Sequence, residues 1–137
     1  MRKYYLFLIQ TEYYKLYQKS PKILYDLLYN LYQLKEPNLN YGISLFKSIC
    51  NPFSVNLLSQ YIQSKYTCMI LSPKVIKIHS IQERTTIQIN YGCIIIKTNV
   101  NFPEILKVFH IYNKKIFVCD FKNQDYFWLS NQFQKTR

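Results

Sequence analysis

Residues able to do acid–base, nucleophilic or metal chemistry are few in this chain, and they are poorly spaced for it. Seven carboxylates are spread over 137 residues: Glu12, Asp26, Glu36, Glu83, Glu104, Asp120 and Asp125. Only Asp120 and Asp125 read as a pair, facing each other across the loop Phe121-Lys122-Asn123-Gln124. Two acids can share the roles of proton donor and acceptor. In a loop of this composition, aspartates more often accept backbone amides and shape a turn. The two histidines, His79 and His110, have no metal-ligand partner at helical spacing. Cys50, Cys68, Cys93 and Cys119 lie far apart with no CxxC, so they read as free thiols of a reducing compartment. There is no GxSxG, HExxH or Walker loop, and two glycines leave no glycine-rich phosphate cradle. These residues point to a binding protein, not an enzyme, with no cofactor and no metal.

Composition sets the frame. The length fits one domain, and a 49% hydrophobic share with 18% charged residues fits a packed core. The net charge of +11 favours an anionic partner, either nucleic acid or an acidic protein surface. Apart from Lys114-Lys115 the lysines are scattered singly, with no basic tract, so direct nucleic-acid binding is the weaker reading. The apolar run Tyr4–Ile9 is too short for a signal peptide and lacks a small-residue cleavage site. No stretch reaches the roughly 20 apolar residues of a membrane span. The expectation is a cytoplasmic protein with no membrane or small-molecule partner.

The elements that must carry any site begin at the front. Residues from Lys3 to about Ile9 read as a strand buried on both faces. A short helix follows, with Thr11 as its cap and Tyr13, Leu16 and Tyr17 on one side. Ser20-Pro21 restarts a second helix running to about Leu34 and stopped by Glu36-Pro37-Asn38. On it, Leu24, Leu27, Leu28 and Leu31 form one stripe, and Tyr25, Tyr29 and Tyr32 a neighbouring one. Buried leucines beside surplus tyrosines suggest a second, partner-facing surface. Asn38 to Gly42 reads as a loop, Ser44–Cys50 as a helix, and Val55 to about Tyr66 as another helix capped by Ser54.

Strand signals then follow at 67–71, 74–79, 85–90 and 93–96, with Tyr91-Gly92 as a tight turn. A helix is expected from Phe102 to Tyr112, then a hairpin of 116–120 with 125–129. The order gives an α/β (α+β) fold: a single domain with a mixed, largely antiparallel sheet packed against helices.

Two blocks at opposite ends carry a family resemblance. The first is Arg2-Lys3-Tyr4-Tyr5-Leu6-Phe7-Leu8-Ile9 with Glu12-Tyr13 and Tyr17. The second runs from Val118 through Asp120-Phe121-Lys122-Asn123-Gln124-Asp125-Tyr126-Phe127-Trp128-Leu129, similar to a DFNNQ-x-Y-x-WL ending. Ile49-Cys50-Asn51-Pro52 matches a short helix and proline between them. In these blocks the chain resembles the sporulation inhibitor of replication protein SirA family. The resemblance implies an inhibitor that binds the N-terminal domain of the replication initiator DnaA and covers the surface used by its helicase-loading partners. It implies partner-binding roles for Tyr13 and Tyr17 on the first helix, and for the places of Leu45 and Ser48 on the helix before Pro52. Near those last two places the family shows a glutamine and a tyrosine, and Asn131 replaces a proline after the tryptophan block. The alternative is a basic, non-enzymatic nucleic-acid or nucleoprotein-binding accessory.

Overall fold

The structure is a computed structural model that describes residues 1–33, 39–72, 74–90 and 92–133, with the side chains of residues 39–41 left out. The expected helix stop at Glu36-Pro37-Asn38, the end of the second helix near Leu34, and Tyr91 of the expected turn lie outside these residues. The elements in order are β1 (Arg2–Ile9), α1 (Thr11–Tyr17), α2 (Pro21–Tyr32), α3 (Leu39–Ile49), β2 (Cys50–Asn51) and α4 (Val55–Lys65). Then come β3 (Cys68–Ser72), β4 (Val75–His79), β5 (Arg84–Ile89), β6 (Ile94–Thr98), α5 (Leu106–Tyr112), β7 (Ile116–Asp120) and β8 (Asp125–Trp128), with a short 3-10 turn over Leu129–Phe133.

One eight-stranded sheet runs β3-β4-β5-β6-β1-β7-β8, and β2 also pairs with β1. Every ladder is antiparallel, so the sheet is antiparallel throughout rather than mixed. β1 is its centre. Arg2 to Leu6 pair with β6, Tyr5 to Leu8 pair with β7, and Leu8 and Ile9 pair with β2 where β6 has ended.

The sheet divides two cores, because successive residues of a strand face opposite sides. Tyr4, Leu6 and Leu8 of β1 join Ile87, Ile96, Val118, Leu58, Ile62 and Phe109 under α4 and α5. Tyr5, Phe7 and Ile9 face the other way and join Leu24, Leu28, Ile49, Phe117, Phe121 and Trp128 under α1, α2 and α3. The expected both-faces burial of β1 is what a central strand between two helical layers requires.

Several boundaries differ from the sequence reading, each for a local reason. Thr11 does not cap α1; the cap position is Gln10, and the Thr11 hydroxyl instead accepts Lys115 Nζ at 2.7 Å. Ser20 and Pro21 do open α2, but no Ser20 side-chain bond caps it. Ser54 does cap α4, accepting the Leu57 N–H. The segment from Leu39 to Gly42 belongs to α3 rather than to a loop, with Gly42 buried. Packing there overrides the glycine's low helix propensity. α5 starts at Leu106, not Phe102: Phe102 sits at φ 50°, and Pro103 forbids it the helical region. The first bonds after it are tight ones, from Leu106 to Pro103 and from Lys107 to Glu104.

Candidate functional site

The catalytic reading of Asp120 and Asp125 dissolves into architecture. Asp120 is buried and receives Arg2 Nε at 3.0 Å and Asn123 Nδ2 at 2.7 Å, with the Asn123 backbone N–H at 3.3 Å. Burial pushes its carboxyl up, but the Asn123 and Arg2 hydrogen bonds outweigh this and hold it below the ordinary carboxylate value. Arg2 also reaches Asp125 at 3.4 Å and Asn101 at 3.2 Å. The acids therefore tie the last hairpin to the first residues of the chain. His110 stacks on Phe133 at 4.5 Å, a packing role, and His79 is exposed on β4. Among the described residues no group of three His, Cys, Asp or Glu could hold a metal.

The front of the molecule is organised differently. β1 runs straight into α1, and the Gln10 N–H donates to the Ile49 carbonyl at 2.8 Å, at the end of α3. The pairing of Ile9 with Cys50 continues that link. The start of α1 and the end of α3 are thereby fixed side by side, which brings the four sequence-named residues onto neighbouring helices of one sheet face.

Tyr13 and Tyr17, one turn apart on α1, are half-buried and stacked, with ring centroids 6.3 Å apart and 28° between planes. Leu16, between them in the chain, is 63% exposed. On α3, Leu45 is half-buried against the same core, and Ser48 is exposed with its hydroxyl donating to the Leu45 carbonyl at 2.7 Å.

What holds this face is the far end of the chain. Trp128 is buried, and its indole N–H donates to the Tyr17 carbonyl at 3.2 Å. Tyr14 meets the same indole edge-on at 4.9 Å. α1 thus turns Tyr14 inward onto Trp128, with Tyr13 and Tyr17 half-buried at the edge of the same core and Leu16 exposed. Phe121, at the hairpin loop, lies among the rings of Tyr5, Tyr25, Tyr29 and Tyr32, the nearest being Tyr32 at 4.6 Å.

The tyrosine stripe of α2 is therefore largely used within the chain. Tyr25 is buried, stacked on Tyr126 at 4.7 Å, and only Tyr29 and Tyr32 keep exposed edges. This corrects the expectation that the whole stripe faces a partner. The signal available in the sequence was the aromatic content of the last hairpin, which must pack on something. Ile23 on α2, 55% exposed, was not singled out from the sequence because its neighbour Leu24 carries the stripe.

A search of curated proteins finds no match to the sequence. The family model described as sporulation inhibitor of replication protein SirA matches residues 2–132. That match spans both the α1 face and the hairpin that supports it, and the chain belongs to the SirA family of sporulation inhibitors of replication.

Proposed function

We propose that this protein restrains chromosome replication during sporulation by docking its α1–α3 face on the N-terminal domain of the replication initiator DnaA. In this reading Tyr13 and Tyr17 are the anchors, Leu16 widens the apolar contact, and Leu45 and Ser48 of α3 complete the edge. Inhibition needs no chemistry: the docked protein occupies the surface that the initiator's other partners require. The observation that carries the reading is the stacked, half-buried pair Tyr13 and Tyr17 beside exposed Leu16, on a helix tied down by Trp128. A pre-ordered aromatic patch is what interface hot spots are built from, since little entropy is lost on binding. The excess of lysine and arginine over acids speeds encounter with an acidic partner surface.

The test is a calorimetric titration of the isolated N-terminal domain of the same organism's initiator. Wild-type protein should bind one to one. Tyr17→Ala should cost about 2 kcal/mol, roughly thirtyfold in Kd, with the fold unchanged by circular dichroism. Equal affinity of wild type and variant would remove Tyr17 from the interface.

A further inference from the structure

The lysines are scattered in the chain, but the register of the sheet gathers some of them. On the face that carries α1, α2 and α3, the helical core reaches β1, β7, β8 and the inner residues of β6. Beyond it the same face opens to solvent. Lys3 stands opposite Lys97, Lys97 opposite Thr86, Thr86 opposite Lys77, and Lys77 opposite Met69. Directly paired residues point to the same side, so these five form one row straight across β1, β6, β5, β4 and β3. At about 4.8 Å per strand, the row is about 20 Å long.

His79 and Arg84, themselves paired, lie two residues along on the same side, and Gln88 lies two residues the other way. Lys3, Lys97, Arg84 and Gln88 are exposed; Lys77 and Thr86 are half-buried. None of the four cations makes an ion pair among the described residues. Strands β3 to β6 carry no carboxylate. Glu83, beside Arg84 in the chain, accepts the hydroxyl of Thr85, which is buried on the opposite face against Thr98.

Lys3 directly opposite Lys97 is an arrangement that costs stability in the isolated protein. An anion seated between them would reverse the sign.

We propose that this open sheet face binds the phosphate backbone of duplex nucleic acid. Three features select that ligand. The row has no aromatic ring on which an unpaired base could stack, as single-strand-binding sheets use. Its interior has no apolar anchor, which the centre of a protein interface needs. Its cations are interleaved with a hydroxyl and an amide, the side chains that accompany lysine and arginine at phosphates. The row covers rather more than half of a duplex turn of about 34 Å. This site is separate from the α1 patch, and its test does not involve the initiator.

The experiment is fluorescence anisotropy of a labelled mixed-sequence duplex of about two helical turns, titrated at several salt concentrations. Three proteins are compared: wild type, the row variant Lys3→Gln/Lys77→Gln/Lys97→Gln, and an off-row variant Lys65→Gln/Lys107→Gln/Lys114→Gln of equal net charge. Wild type should bind with log K falling linearly against log salt, at a slope of about −3 to −4 for four phosphate contacts. The row variant should lose at least about tenfold in affinity and most of that slope, while the off-row variant stays within about twofold. The row variant should melt no lower than wild type, and Lys97→Gln alone should show the same trend in smaller measure. Equal losses in the two triple variants would mean diffuse net charge, and would overturn the site. So would no duplex binding by wild type. Poly-glutamate bound as tightly as duplex, and lost in the row variant, would replace the phosphate backbone with an acidic protein surface.

Discussion

Asp120 shows how a residue that looks chemical becomes structural. Its carboxylate stays ionised while buried because Arg2 and Asn123 donate to it. The folded-state value lies below the unfolded one, so the stabilisation is fully present above the ordinary carboxylate value near 4 and is lost as pH falls through the folded value. Asp120→Ala should cost about 1–3 kcal/mol at pH 7, read by chemical denaturation, with the gap to wild type closing in strong acid. A gap independent of pH would deny the ion pair its role. The hairpin acids were legible in the sequence; Arg2 was not, because 118 residues separate it from its partner. The cysteines make a second residue-scale case. Burial pushes Cys93 up to about 12 and raises Cys50 and Cys119 as well, so their thiolates are scarce at neutral pH. Cys50 and Cys119 are buried while Cys68 and Cys93 are both half-buried, so with the Cys93 thiolate scarce Cys68 should be the first cysteine alkylated in native protein, as mass spectrometry would read. Labelling of Cys93 as fast as Cys68 would contradict the raised Cys93 thiol.

At the scale of elements, α1 has seven residues, far short of the roughly 12–15 an isolated helix needs in water. It persists because Trp128 of β8 takes its last carbonyl and packs on Tyr14. Trp128→Phe keeps an aromatic ring and removes the indole N–H. It should cost about 1–2 kcal/mol of stability and weaken initiator binding, without any change to a proposed contact residue. Unchanged binding would show that α1 is positioned some other way. The two sequence blocks at the chain's ends thus act as one unit, the first presenting and the second supporting. The amphipathic stripe of α2, the cap of α4 and the last hairpin were readable because local periodicity and turn chemistry decide them. The starts of α3 and α5 were not, since Gly42 is held by packing and Pro103 displaces Phe102 from the helix. The tyrosines of α2 misled for a related reason. Periodicity gives a side chain's direction but not what waits there, and Phe121 arrives from far along the chain.

At the scale of the molecule, β1 separates two cores and fixes which helices share a face. Alternation along each strand was visible in the sequence, but strand order and register were not, because nothing local says that β1 lies between β6 and β7. Register is also what lines Lys3 up with Lys97 and Lys77. The molecule thereby presents two unlike surfaces on one side of the sheet, an aromatic patch on α1 and a cationic strip across β1, β6, β5 and β4. The docking proposal is tested most directly by hydrogen–deuterium exchange of the protein with and without the initiator's N-terminal domain. Protection should rise in residues 11–17 and in the last turns of α3, around Leu45 and Ser48, and stay unchanged over α4 and α5. Protection confined to α4 and α5, or none at saturating partner, would contradict docking through the α1–α3 face.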